Sequence, residues 1–178
     1  MTIIKSKTIF SGRIVKLNQE QVCLPDNSVS DLEIVYHRGG AAILAVNESN
    51  EVCLLRQYRH AVRDWVWEIP AGILEENDDS VLLRAKAELQ EETGCTAQEW
   101  KELGSIQSSP GVFTEIVHLF LATDLTLGEQ QLEHGEVLEV HWIDFSDVLS
   151  QVHDGTINDA KTCLALFRGM KVLNYSKV

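Results

Sequence analysis

The stretch from Gly72 to Cys95 constrains this chain more than any other. Ser80 is a good N-cap, Gly94 is a C-terminal stop, and the residues between them carry a helical period. The pattern predicts a helix from about Ser80 to Thr93. At about 100° per residue, Leu82, Ala85 and Leu89 share one face, expected to pack on a sheet. Arg84, Glu88, Glu91 and Glu92 gather on the neighbouring face. Glu88 lies i,i+4 from Glu92 and i,i+3 from Glu91, and like charges at those separations repel by a few tenths of a kcal/mol each. Glu91 and Glu92 also crowd the helix C-terminus, where the macrodipole disfavours anions. Stability alone would place lysines there. A solvated acidic face is one account. Three neighbouring features favour a metal site instead: the Pro70-Ala71-Gly72 turn, which brings backbone carbonyls beside the helix; the acidic loop Glu75–Asp79; and Gly94 directly after the carboxylates. Hard cations such as Mg²⁺ take oxygen ligands, keep waters and accept substrate phosphates. Glutamates on one face can hold such an ion and leave positions open for a diphosphate and a nucleophilic water.

Charge points the same way. The 178 residues carry a formal net charge of -12, which argues against nucleic acid or an anionic membrane as the main partner. An acidic protein that handles phosphates needs something to offset the repulsion, and a divalent cation does so. Hydrophobic residues make up 44% of the chain, enough for a real core in one domain, or one domain with an appendage. No apolar run approaches the roughly 20 residues of a membrane helix, and the opening Met1–Lys7 does not read as a secretory signal. Cys23, Cys53, Cys95 and Cys163 form no CxxC pair and read as free thiols of a cytoplasmic protein.

Around the helix the chain reads mostly as strands. Thr8–Phe10, Arg13–Leu17 and Leu32–His37 are β-favouring, with a turn at Pro25-Asp26-Asn27-Ser28, and could form an antiparallel sheet of their own. Arg38-Gly39-Gly40 introduces Ala41–Val46, a continuous apolar run of the kind found in buried strands. Asn47–Asn50 is a turn, and Glu51–Arg59 is expected to return as its hairpin partner. Trp65–Ile69, Ile116–Ala122 and Val137–Ile143 read as strands, and Ala160–Met170 as a last helix. The order lacks a regular βαβ rhythm, so a mixed sheet covered by helices is expected.

Gly72 and Glu88-Leu89-Gln90-Glu91-Glu92-Thr93-Gly94-Cys95 resemble the box G-x5-E-x7-R-E-U-x-E-E-x-G-U of the Nudix hydrolase family, U being apolar. Further matches resemble its ADP-ribose pyrophosphatase branch: Arg38-Gly39-Gly40, Arg56-Gln57-Tyr58-Arg59, Trp67–Gly72, Ile157–Thr162, and Pro110 sixteen residues after Gly94. The resemblance runs from about Ser6 to Met170. It implies an α+β fold, a Nudix-type α/β/α sandwich with a mixed β-sheet, plus an N-terminal antiparallel β-sheet. It implies a segment 1–37 exchanged in a homodimer and a hydrolase domain over 38–178. It implies Mg²⁺, with Mn²⁺ as the alternative, on Glu88, Glu92, Glu91 and the Ala71 carbonyl. Substrate would meet Arg56, Arg59, Glu68, Pro110 and Gly111. The expected reaction cleaves ADP-ribose, or a related nucleoside-diphosphate sugar, to AMP and a sugar phosphate. A pyrophosphatase for another sugar nucleotide such as GDP-mannose is the alternative, and a degenerate nucleotide-binding sensor is a third reading.

Two departures stand out. The loop holds one extra residue, so Asp79, or Asp78 at the original spacing, replaces the first glutamate. The arginine before Glu88 is replaced by Ala87. Arg84 lies one turn earlier on the same face and is expected to take over the orienting ion pair. The general base is sought in Glu129–Glu136, where Glu136 aligns best with the family's acidic position and Glu133 second.

Overall fold

The structure, a computed structural model, describes residues 2–76, 78–132 and 135–175. They form two compact units, one made of the chain up to Gly39 with Gln107–Ile116, the other of Gly40–Ile106 with the chain from Val117 on.

In the first unit β1 (Thr2–Ser11), β2 (Val15–Cys23) and β3 (Val29–His37) make an antiparallel sheet in the order β1-β2-β3. At the β2–β3 turn the Asp26 carboxylate accepts from the Ser28 N–H at 3.0 Å and hydroxyl at 2.7 Å, with Asn27 at φ 65°. The segment 107–116 joins β3: Val35 N–H donates to Val112 O at 2.9 Å, and Thr114 N–H to Val35 O at 3.0 Å. All of β1 is exposed, including Ile3, Ile4, Ile9 and Phe10.

In the second unit β4 (Gly40–Ala45) lies between β7 (Ala71–Ile73), antiparallel, and β9 (Ile116–Leu127), parallel, in a four-stranded sheet of order β7-β4-β9-β8, where β8 is Cys95–Gln107. A second, antiparallel sheet has the order β10-β5-β6, from β5 (Glu51–Arg59), β6 (Asp64–Glu68) and β10 (Leu138–Asp144). The helices are α1 (Val81–Thr93), α2 (Phe145–His153) and α3 (Ala160–Val172). Ala41, Ile43 and Ala45 pack with Ala85 and Leu89 of α1, while Ala42 and Leu44 pack with Phe145, Val148, Ala165 and Leu166 of α2 and α3. A strand covered on both faces has no polar side to show, which is why Ala41–Val46 is apolar throughout. At Gly169 of α3 a side chain would strike Leu44, so the glycine lets helix and strand approach closely. No helix among the described residues is long and apolar enough to cross a membrane.

The expected hairpin of Ala41–Val46 with Glu51–Arg59 does not form. Both hydrogen-bonding edges of β4 are taken, by β7 and β9. Only the single bridge Val46–Val52 joins the two stretches, and β5 crosses into the other sheet. β7, β8 and α2 were not expected from the sequence. β7 has three residues, β8 is polar and exposed at most positions, and α2 depends on an Asp144 cap that reads equally well as a turn.

Candidate active site

The ends of α1 are closed locally. Ser80 Oγ accepts from the Leu83 N–H at 3.2 Å, and Gly94 adopts φ 75° with its N–H on Gln90 O at 2.8 Å. Seating Ala85 and Leu89 against the sheet turns Glu88 and Glu92, one helical turn apart, inward with them. Glu88 is 4% and Glu92 2% exposed, and Glu91 is half-buried. Arg84 pairs with Glu88 and lies 3.8 Å from Glu91.

β7 forms the opposite wall. Its Ala71 N–H donates to Glu92 Oε2 at 2.8 Å. At Gly72 any side chain would occupy the space of the Glu88 carboxylate, so the glycine keeps that space open. Burial pushes Glu88 up to about 7, Arg84 opposing and Glu91 and Glu136 adding to the rise. Burial pushes Glu92 up to about 8, with repulsion from Glu88 and Glu136 added and the Ala71 N–H opposing. Of the two buried carboxylates, Glu88 pairs with Arg84 while Glu92 is bonded by the neutral Ala71 N–H, and the donor set is oxygen only. That chemistry fits a hard divalent cation.

Arg59 and Glu68 lie on one face of the β5–β6 pair. Arg59 Nε donates to Glu68 Oε1 at 2.7 Å and Nη2 to Oε2 at 2.9 Å. Lys161 Nζ also donates to Glu68 and lies 3.1 Å from Asp159, the N-cap of α3. Burial works to raise the pKa of Glu68, but Arg59 and Lys161 together hold it below the ordinary value. Asp159 Oδ2 accepts from Thr162 Oγ1 at 2.6 Å, and Thr162 Oγ1 accepts from the Ile69 N–H at 2.9 Å. Sequence reading assigned Lys161, Asp159 and Thr162 no role. The signal was present in Glu68, a carboxylate in a strand running into an apolar turn, which must find cations somewhere. Arg56 points to the other face of β5 from Arg59. It sits 5.3 Å over the Trp65 ring and 3.8 Å from Glu139.

The chain after β9 docks on the C-terminal end of α1. Gln131 N–H donates to Glu91 O at 2.9 Å and Gln130 Nε2 to Glu92 O at 2.5 Å, filling carbonyls that a helix end leaves open. Glu136, half-buried, is near enough to raise both Glu88 and Glu92. Glu133 lies outside the described residues. Pro110 and Gly111 are exposed and belong to the first unit.

The NUDIX domain family matches residues 36–166. The chain belongs to the Nudix family. The Nudix chain is similar to the ADP-ribose pyrophosphatase of Bacillus subtilis, 38% identical over 92% of this chain and 89% of that protein. It is also similar to the methanol dehydrogenase activator of Bacillus methanolicus, 36% identical over 92% and 89%. With the GDP-mannose pyrophosphatase of Cronobacter sakazakii it shares 38% identity over 74% of each. Its fold matches the crystal structure of an ADP compounds hydrolase with a TM-score of 0.82 at 20% identity, over 97% of this chain and 94% of that one. This Nudix protein is a hydrolase acting on phosphoanhydride bonds.

Proposed function

We propose that this Nudix hydrolase cleaves the diphosphate of ADP-ribose, or of a closely related nucleoside-diphosphate sugar, to AMP and a sugar phosphate, with Mg²⁺ as its ion and Mn²⁺ able to replace it. The observation that carries the reading is the Glu88–Glu92 pair, buried side by side against Ala71 and Gly72. Glu88 and Glu92, with Glu91 and the Ala71 carbonyl, would hold the ion. Bound there, it would neutralise diphosphate charge and lower the pKa of a water. Arg84 orients Glu88. Arg59 meets a phosphate, and the family resemblance adds Arg56, Pro110 and Gly111 as substrate-contact residues. Glu136 takes the proton of the attacking water, with Glu133 as the second candidate. Ordering these groups before reaction supplies most of the acceleration.

The exposed Ile3, Ile4, Ile9 and Phe10 of β1 support a homodimer in which the segment 1–37 is exchanged. Four free cysteines support a cytoplasmic location. The test follows AMP by chromatography with ADP-ribose and Mg²⁺, beside GDP-mannose. AMP from ADP-ribose is expected. Faster turnover of GDP-mannose would move the assignment to that sugar nucleotide, and no turnover of either would move it to a binding role. Sedimentation should give twice the chain mass, and a monomer would remove the exchanged dimer.

A further inference from the structure

Glu68 is 3% exposed and takes two cations. Arg59 grips it with two parallel bonds, and Lys161 reaches Glu68 Oε2, the oxygen that Arg59 Nη2 also uses. Asp159 lies 3.1 Å from Lys161, so two cations and two carboxylates make a neutral set. Arg59 is the member that faces outward: its side chain is 42% exposed, and it is near enough to Glu92 for each to act on the other. Among the described residues nothing receives a bond from Arg59 Nη1. Lys161 is 16% exposed and lies between Glu68 and Asp159, sharing Glu68 Oε2 with Arg59 and Asp159 Oδ2 with Thr162.

An arginine paired alone with a buried carboxylate is committed to it, because leaving would strand an uncompensated charge. A second cation on the same carboxylate changes that. Glu68 stays compensated while Arg59 turns part of its charge to another anion. We propose that Lys161 is a positioning residue: by sharing Glu68 it leaves Arg59 free to bind a phosphate of a nucleoside diphosphate. The inference rests on the reading that Arg59 meets substrate phosphate, and it gives the Ile157–Thr162 segment a role. Asp159 caps α3 and holds Lys161, while Thr162 ties the same turn to Ile69, the residue after Glu68.

A tie that merely stabilises the fold and a device that shares charge differ in one respect. If charge is shared, removing the charge of Glu68 repairs the loss of Lys161. The experiment titrates ADP into the full chain in EDTA by calorimetry, so no turnover intervenes. Lys161→Met is expected to weaken ADP binding roughly tenfold or more, the scale of a charge-assisted hydrogen bond. Lys161→Arg should stay close to wild type. The double variant Lys161→Met/Glu68→Gln should bind more tightly than Lys161→Met alone. Circular dichroism checks folding; if Lys161→Met does not fold, Lys161→Gln replaces it with the same expected loss. Unchanged affinity in the single variant, a double variant no better than the single, or no ADP binding by wild type would each overturn the inference. Turnover of ADP-ribose is read separately, so a wrong substrate assignment shows as missing AMP and leaves the ADP affinities to decide.

Discussion

The Ala71 N–H donates to Glu92 Oε2 at 2.8 Å, joining the β7 wall to the last turn of α1. The donor is neutral, so it orients the carboxylate without cancelling its charge. Glu92→Gln keeps the shape and removes the charge. Turnover of ADP-ribose should fall by roughly 10²-fold or more, while the metal-free protein at pH 8 melts no lower than wild type. AMP release and thermal melting in EDTA check the two halves. A variant with wild-type turnover would remove Glu92 from the chemistry.

The same burial sets a pH dependence. Glu88 and Glu92 sit at about 7 and about 8 in the fold against an ordinary 4.5. A carboxyl raised in this way contributes stability that is complete below 4.5 and is lost as pH rises through the folded value. Metal-free protein should therefore melt lower at pH 8 than at pH 6. Added Mg²⁺ should raise the melting temperature more at pH 8, where the ligands are ionised. At about 2–4 °C per kcal/mol for a chain of this size, scanning calorimetry at the two pH values will resolve it. An Mg²⁺ shift larger at pH 6 would contradict this.

Arg84 opposes the upward push on Glu88 and lies 3.8 Å from Glu91. In Arg84→Ala the Glu88 carboxyl should lose its proton only at higher pH. The acid limb of the kcat/KM profile should move upward, with a loss of roughly tenfold near neutral pH that narrows in alkali. A uniform loss at every pH would mean that Arg84 acts otherwise than through Glu88.

Gln130 holds the chain that leads to Glu136 against the main-chain oxygen of Glu92 at 2.5 Å. Gln130→Ala leaves every carboxylate in place and loosens that hold. The expected result is a kcat lower by roughly tenfold with Mg²⁺ affinity unchanged, measured by steady-state kinetics over a metal titration. A change in metal affinity alone would place the effect on α1 and not on the loop.

Much of α1 was legible from local chemistry. Ser80, Gly94 and the spacing of Leu82, Ala85 and Leu89 act within a few residues of one another, and the cap bonds and the packed face follow from them. The excess of carboxylates at Glu88–Glu92 was equally legible, because charge that a helix does not need shows in the sequence alone. Other features depend on residues far apart. Ala41–Val46 read as a buried strand, but which strands flank it was decided by β7 and β9, which lie on either side of α1 in the chain. Lys161 meets Glu68 across a sequence separation of 93, and Gln130 meets Glu92 across 38. Neither partner carries a local mark of the other. The sequence by itself determined the helix, its caps and the surplus of negative charge. Only the tertiary structure decided which cations, amides and backbone groups surround that charge, because burial creates the need for partners and the packing of distant segments decides which ones can reach.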